Sequence, residues 1–233
     1  MKQKLVTCQF RLYYQPGYLM KTYLDEIRKP IAIPLSPKIR HSILVLLLGI
    51  VLGVVSKMLD ETAGNLLPHF LEMLDLRNFL SRMGFWMFCG ICISTFSKSP
   101  LRAAGNTFLF FIGMVGSYYW YTVTFAGFFP RSYMMLWIAM CFLSPLFAAV
   151  CWYAKGRRPV SIGIACLIIT MMTRQTFAFG YWYFDVRYGL EFLLWAAVFA
   201  VLYVNPKQIA IAAGSGILLF FITSQVNLFW GMM

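Results

Sequence analysis

Long apolar stretches recur along the chain, and short polar connections separate them. Seven of these stretches approach the roughly 20 residues that an α-helix needs to cross a bilayer. Turn-forming residues such as Ser99–Pro100, Phe129–Pro130 and Asn205–Pro206 fall between them. The pattern predicts an all-α, polytopic transmembrane helix bundle of about seven spans, or six if the last is incomplete: His41–Leu59, Phe79–Ser97, Ala103–Phe125, Tyr133–Tyr153, Val160–Ala178, Tyr188–Val204 and Gln208–Leu228.

The composition supports the same class of protein. Hydrophobic residues make up 61% of the chain and charged residues only 12%, whereas soluble domains have about 45–50% and about 25%. Such a composition favours contact with lipid. The chain is expected to divide into a basic cytoplasmic juxtamembrane arm at residues 1–40 and a helical bundle at residues 41–233, with an external loop at residues 60–78.

Basic residues set the predicted orientation. Lysine and arginine concentrate in the cytoplasmic connections of membrane proteins. The N-terminus is therefore expected in the cytoplasm, and the chain is expected to be a multi-pass protein of the cell membrane, of the bacterial inner-membrane type. Fourteen of the 20 basic residues then lie on the cytoplasmic side: Lys2, Lys4, Arg11, Lys21, Arg28, Lys29, Lys38, Arg40, Lys98, Arg102, Lys155, Arg157, Arg158 and Lys207.

The charge does not indicate a nucleic-acid partner. The formal net charge is +12, but the basic residues lie between apolar segments instead of forming one patch. No metal or other cofactor is expected, because Cys89 and Cys92 resemble half a zinc site without a second ligand pair. No G-x-S-x-G elbow, H-E-x-x-H helix or P-loop occurs. The sequence therefore contains no recognisable catalytic motif that would support an enzymatic function.

Two features suggest partners besides a small-molecule ligand. The N-terminal arm places Met20, Leu24 and Ile27 at helical spacing among basic residues. It is expected to lie on anionic membrane lipid or, alternatively, to dock a cytoplasmic partner. Gly49 and Gly53 form a small-xxx-small pair that permits close helix contact, either inside the bundle or with a partner subunit.

Polar side chains recur at one depth of the predicted bundle. Counting about 1.5 Å per residue from the cytoplasmic edge places four of them close beneath the outer face of a core about 30 Å thick. Counting inward from the outer ends of their helices places Arg82 and Glu191 at nearly the same level. The four side chains of the first count are Lys57, Tyr121, Arg174 and Gln225.

This layer suggests a binding site. Arg174 and Glu191 lie on consecutive antiparallel spans and are expected to pair, because ionised groups in hydrocarbon need a partner or a wet cavity. Arg174 or Arg82 would then hold a carboxylate or phosphate in an outward-facing pocket. The alternative is that Lys57, Arg82 and Arg174 reach the headgroups with their charged tips.

Aromatic residues surround the polar layer. They form two clusters, one around Tyr118 and Tyr121 and the other from Phe177 to Tyr188, which includes Trp182. The acidic residue Asp185 lies within the second cluster. Such clusters are typical of the belt at a membrane interface. Alternatively, Tyr118, Tyr121, Trp182 and Tyr188 would stack on an organic ligand, with Asp185 and Arg187 gating or selecting it.

Three functions are compatible with these patterns. The leading hypothesis is a membrane transport or solute-binding protein with an outward-facing polar and aromatic pocket for a small organic anion. The second is a membrane-embedded enzyme that acts on a lipid or lipid-linked substrate, with Glu191 or Asp185 as acid or base. The third is a non-catalytic subunit of a membrane complex, in which the polar layer only locks the helices together.

Overall fold

The computed structural model describes residues 16–62, 68–127, 131–180 and 182–224. These residues form helices joined by short connections, together with one β-hairpin. The helices are α1 (Pro16–Ile27), α2 (Leu35–Glu61), α3 (His69–Met73), α4 (Leu76–Ser81), α5 (Met83–Phe96), α6 (Pro100–Tyr121), α7 (Arg131–Trp152), α8 (Pro159–Thr176), α9 (Gly189–Leu202) and α10 (Pro206–Ser224). The hairpin strands are β1 (Phe177–Gly180) and β2 (Tyr183–Val186), between α8 and α9.

Four helical segments among the described residues are long and apolar enough to cross a membrane: Leu35–Glu61, Pro100–Phe125, Met134–Lys155 and Pro206–Ser224. The prediction of a helical protein suited to a membrane is therefore confirmed at that level. Two further apolar helices, α5 and α9, have 14 residues each. At about 1.5 Å per residue each is about 21 Å long, short of a hydrocarbon core of about 30 Å.

Contacts of the N-terminal arm define one end of the bundle, here called the arm face. The Ile31 amide donates to the Lys98 carbonyl oxygen at 2.8 Å, and the Arg157 amide donates to the Ile27 carbonyl oxygen at 3.1 Å. Gln208 Nε2 donates to the Gly156 carbonyl oxygen at 3.0 Å. The arm face thus contains the connections α5–α6, α7–α8 and α9–α10. The opposite end carries the β-hairpin and is called the hairpin face.

Helix α2 packs on α6 through small residues. A Cβ atom at Gly49 would collide with the Phe110 carbonyl oxygen, and one at Gly113 would lie 2.8 Å from the Leu46 carbonyl oxygen. Gly53 is in equally close contact with α6. The glycine pair therefore serves contact within the bundle, while much of the other side of α2, including Leu44 and Val51, is exposed.

Buried apolar side chains pack in clusters between the helices of the bundle. One buried cluster joins α8, α9 and α10 and centres on Ile169, Met172 and Val198. A second joins α5, α6 and α7 through Trp86 and Phe110, whose ring centroids are 6.1 Å apart. The core therefore lies between the helices along most of their length.

Helix α7 contains Pro145, which lacks the amide that would bond the Cys141 carbonyl oxygen. The Ser144 hydroxyl donates to that oxygen at 2.7 Å and satisfies it. The helix therefore continues through the proline with this carbonyl group paired, as membrane helices require.

The β-hairpin was not predicted. The sequence predicts a helical span over Val160–Ala178, but α8 ends at Thr176. Phe177 to Gly180 pair with Tyr183 to Val186 in an antiparallel register, and β-branched and aromatic residues favour this extended form. The hairpin ends the helix because its two strands satisfy each other's backbone groups.

Candidate functional site

The site begins at a break between α4 and α5. Arg82 has extended backbone angles, φ −84° and ψ 151°, between the last residue of α4 and the first residue of α5. The indole Nε1 of Trp86 donates to the Leu80 carbonyl oxygen at 2.7 Å, which satisfies one carbonyl left at the end of α4. The sequence predicted one continuous span over Phe79–Ser97, and the structure corrects this to a broken helix with Arg82 at the break.

Arg82 pairs with Glu191 across the break. Glu191 lies in the first turn of α9 and is only 2% exposed. Arg82 Nε donates to Glu191 Oε1 at 2.5 Å. The guanidinium carbon lies 3.5 Å from the centroid of the Tyr188 ring, and Nη1 lies 3.7 Å from Asp75 Oδ2. Arg82 therefore joins α5, α9 and the turn that precedes α4.

The second oxygen of the Glu191 carboxylate, Oε2, differs from Oε1 in its hydrogen bonding. Oε2 is buried and accepts no hydrogen bond from any described residue. A buried acceptor without a donor costs about 1–3 kcal/mol, and more when it carries charge. The Glu191 side chain, in the first turn of α9, also lies beside Gly84 in the first turn of α5, and helix N-termini favour negative charge. The site therefore contains a buried carboxyl group with one unused acceptor oxygen.

The expected pair of Arg174 with Glu191 is wrong. Arg174 Nη1 donates instead to the Thr223 carbonyl oxygen of α10, at 2.6 Å. On α8 the side that faces α9 carries Thr173, which accepts from the Trp195 indole at 2.9 Å. One residue further along a helix lies about 100° around the axis, so Arg174 has the right depth but faces α10.

Lys57 and Tyr118 belong to a separate cluster at the same end of α2 and α6. Lys57 Nζ lies 3.2 Å from Glu61 Oε1 and 5.3 Å from the centroid of the Tyr118 ring. The Tyr118 hydroxyl donates to Asp60 Oδ2 at 2.8 Å. These side chains tie the two helices together.

The remaining predicted site residues are dispersed. Tyr121 packs on Phe125, with ring centroids 4.6 Å apart. Trp182 is 97% exposed at the tip of the hairpin, and the Asp185 carboxylate is exposed and accepts from the Val186 amide. Gln225 lies outside the described residues. Of the predicted set, the structure therefore brings together Arg82, Glu191 and Tyr188.

Sequence reasoning missed Asp75, the second acid near Arg82. It has a positive φ of 49°, unusual for a residue other than glycine, and its carboxylate accepts from the Asn78 side chain at 2.7 Å. An aspartate directly before a short helical pattern is a recognisable start signal. That signal locates the turn but not its distance from α9.

A small cavity lies on the other side of α5. Its volume is about 20 Å³, which is enough for a single water molecule but far below the roughly 300 Å³ of a small ligand pocket. It is lined by Ser56, Leu80, Trp86, Met114, Val115, Tyr118, Met134 and Trp137. This cavity is therefore too small to hold an organic ligand.

The arm face contains a half-buried arginine, Arg28, that the sequence did not single out. Arg28 donates to the carbonyl oxygens of Trp152 and Thr95, at 2.5 and 3.0 Å, where α7 and α5 end. Burial lowers the pKa of the Arg28 guanidinium below its ordinary value, although arginine remains a cation at neutral pH. The arm therefore docks on the chain's own helix ends, where a positive charge is favourable.

Comparison with known proteins gives no match to a family model, to a curated protein or to a solved structure. Function must therefore be inferred from the chemistry of the described residues. The Arg82–Glu191 pair is the strongest starting point because it joins a buried carboxylate, a partly exposed cation and a broken helix.

Proposed function

We propose that this chain is an integral membrane transport or solute-binding protein that binds a small organic anion at Arg82. In this proposal the protein spans the membrane seven times, with the N-terminus in the cytoplasm and the hairpin face outside. The observation that carries the proposal is the pair of Arg82 with the buried Glu191.

An ionised pair in a membrane helix bundle calls for a functional explanation. Charged groups at membrane depth are costly, and they most often mark substrate or ion pathways. Broken helices whose N-termini point at a common site are a recurring way to bind anionic groups in transporters. Arg82 lies at such a break, and Glu191 lies in the first turn of the facing helix. Both features support a binding site at this point.

The surroundings of Arg82 suit an anion with an apolar part. A guanidinium binds carboxylate or phosphate groups through parallel hydrogen bonds. The Arg82 side chain is 22% exposed, so it is open to the hairpin face, whereas the Glu191 side chain is only 3% exposed. The Tyr188 ring under the guanidinium offers an aromatic surface for the organic part. These features support a small organic anion as the ligand.

The proposed orientation rests on charge. The arm face carries the exposed basic residues Lys29, Lys98, Arg157 and Arg158, and basic connections lie in the cytoplasm. The proposal of seven spans rests on α2, α5, α6, α7, α8, α9 and α10, which alternate in direction between the two faces. Helices α5 and α9 fall short of the membrane thickness by themselves, but α4 and the hairpin precede them on the hairpin face.

Anion binding by the purified full chain tests the proposal. Benzoate is titrated into the protein in nanodiscs by isothermal calorimetry, for the wild type and for Arg82→Gln. The matched control is Arg158→Gln, which removes an exposed arginine paired with Glu26 on the arm face. We expect Arg82→Gln to weaken binding at least about tenfold, which corresponds to about 1.4 kcal/mol, and Arg158→Gln to leave it unchanged.

Two results would contradict the proposal. If benzoate fails to bind the wild type, or if Arg82→Gln binds it equally well, Arg82 is not an anion site. A folded protein without a ligand would favour the non-catalytic subunit instead. Native mass spectrometry of the purified protein provides a second measurement, and chemical conversion of a retained lipid would favour the membrane-embedded enzyme.

A further inference from the structure

We infer that Glu191 takes up one proton when an anion binds at Arg82, so that the protein binds the anion and the proton together. This inference rests on the proposed anion site and adds a coupling ion to it. It follows from the unequal surroundings of the two carboxylate oxygens and from the unequal exposure of the two charged side chains.

The two oxygens of Glu191 have different partners. Oε1 accepts from Arg82 Nε, whereas the buried Oε2 has no donor among the described residues. A proton on Oε2 would remove the negative charge without displacing Arg82, because a neutral carboxylic acid can still accept a hydrogen bond through its other oxygen. Oε2 is therefore the atom on which the proton is placed.

Charge balance determines the exchange. In the structure the positive charge of Arg82 is opposed by Glu191, and Asp75 lies further away at 3.7 Å and is half exposed. A solute anion that approaches Arg82 meets a guanidinium already neutralised by Glu191. When Oε2 binds a proton from the solvent, the charge of Arg82 becomes available to one monovalent anion. The site gains one proton and one anion, so its net charge stays the same.

The exchange involves Glu191 and Arg82, because the groups next to Glu191 on α5 and α8 are uncharged. Helix α5 carries no charged side chain, and on α8 the groups next to Glu191 are neutral: the Thr176 hydroxyl donates to the Glu191 carbonyl oxygen at 3.1 Å. The Arg187 amide bonds the Thr176 carbonyl oxygen at 2.9 Å, which brings the end of the hairpin close to this position. The charged groups on the elements around Glu191, including the segment from Asp75 to Arg82, are Arg82, Asp75, Arg77, Arg174, Asp185 and Arg187.

Most of these groups are engaged elsewhere or exposed. Arg174 donates to Thr223, away from Glu191, and the Asp185 carboxylate accepts from the Val186 amide in an exposed strand. Asp75, Arg77 and Arg187 are exposed, so solvent screens them. Protonation of the buried carboxylate is thus the change that most alters the charge seen by an anion at Arg82.

The pH dependence of binding tests the inference. Benzoate affinity of the full chain in nanodiscs is measured from about pH 5.5 to about pH 8, together with benzenesulfonate, which keeps its charge over this range. Uptake of one proton per anion predicts that affinity falls as the pH rises, by up to about tenfold per pH unit. Glu191→Gln mimics the protonated acid, so we expect tight binding that does not change with pH.

Control variants separate this inference from the proposed function. Glu61→Gln removes a carboxylate of the separate Lys57 cluster and should keep the wild-type pH dependence. Glu191→Asp is a second variant that keeps an ionisable group and should keep a pH dependence if Glu191→Gln fails to fold. Thermal unfolding monitored by tryptophan fluorescence reports the folding of every variant.

The outcomes are distinct. If the wild type binds benzoate through Arg82 with the same affinity at every pH, the proton inference is wrong and the proposed function stands. The same conclusion follows if Glu191→Gln retains the pH dependence. If neither the wild type nor a folded Glu191→Gln binds any anion, the proposed function fails first, and the inference fails with it.

Discussion

The guanidinium of Arg28 is attached to Trp152 in two ways: it donates to the Trp152 carbonyl oxygen at 2.5 Å and lies 4.3 Å from the centroid of the indole ring. The indole in turn donates to the Ser97 carbonyl oxygen at 2.7 Å. One arginine and one tryptophan thereby connect the arm to the ends of α5 and α7. The N-terminal arm is therefore part of the folded bundle from Ile27 onward, where that side chain is buried.

Arg28→Ala should release the arm. The substitution removes two charge-assisted hydrogen bonds and a cation–π contact, and we expect it to lower the free energy of unfolding by about 2–3 kcal/mol. Arg28→Lys should recover only part of this loss, since a lysine cannot reach both carbonyl oxygens with a planar fork. Chemical unfolding in detergent measures the effect, with the neighbouring exposed Lys29→Ala as the control. Equal stability of Arg28→Ala and Lys29→Ala would contradict the docking role.

Two glycines of α6 provide a matched pair for packing. A Cβ at Gly113 would press on the Leu46 carbonyl oxygen of α2, whereas a Cβ at Gly116 would meet nothing within 4 Å. We expect Gly113→Ala to destabilise the protein by about 1–3 kcal/mol through overpacking. Gly116→Ala should be neutral or stabilising by up to about 1 kcal/mol, because alanine is the better helix former. Thermal unfolding compares the two, and equal effects would show that α2 and α6 are not tightly packed at Gly113.

The sequence predicts the positions of the helices better than their contacts. Each of the seven apolar stretches overlaps a helix of the structure, because the length and apolarity that a bilayer requires are visible in a single window of sequence. Two backbone features escaped this pattern, the extended residue Arg82 and the hairpin after Thr176. Both concern a few dihedral angles, and an average over about 20 residues does not detect them.

The contact partner of each polar side chain was harder to predict than its depth in the bundle. Counting residues placed Arg82, Arg174 and Glu191 at one level, and the structure brings Arg82 to Glu191 while directing Arg174 to α10. Depth follows from the rise per residue, but the direction of a side chain depends on how each helix is rotated against its neighbours. The link from Arg28 to Trp152 spans 124 residues and has no local signal at all.

Arg174 should have a structural role in holding α8 against α10. Its guanidinium donates to the Thr223 carbonyl oxygen of α10, and a hydrogen bond from a charged donor stabilises more than a neutral one. We expect Arg174→Ala to lower the free energy of unfolding by about 1–2 kcal/mol and to speed hydrogen exchange of α10 near Thr223. Benzoate affinity should stay at the wild-type value. A loss of binding in a folded Arg174→Ala protein would return Arg174 to the anion site.

Variants of the Arg82–Glu191 pair distinguish its contribution to stability from its contribution to binding. Arg82→Ala leaves the buried Glu191 without its cation and should cost about 2–4 kcal/mol of stability. The double substitution Arg82→Met with Glu191→Leu replaces both charges by apolar side chains and should return the stability to within about 1 kcal/mol of the wild type. Benzoate calorimetry on this stable double variant should show no binding. Persistent binding would mean that another group holds the anion.

The proposed seven spans and cytoplasmic N-terminus predict which residues are reached from outside an intact cell. Single cysteines at the exposed positions Lys98 and Asp185, on the arm face and hairpin face, are compared in a background without native cysteines. A membrane-impermeant maleimide should label Asp185→Cys in intact cells and Lys98→Cys only after permeabilisation. A tag fused after Met233 should be accessible from outside, since the proposed number of spans is odd. A protected tag with unchanged cysteine labelling would reduce the count to six spans, and reversed labelling would invert the orientation and with it the side from which an anion reaches Arg82.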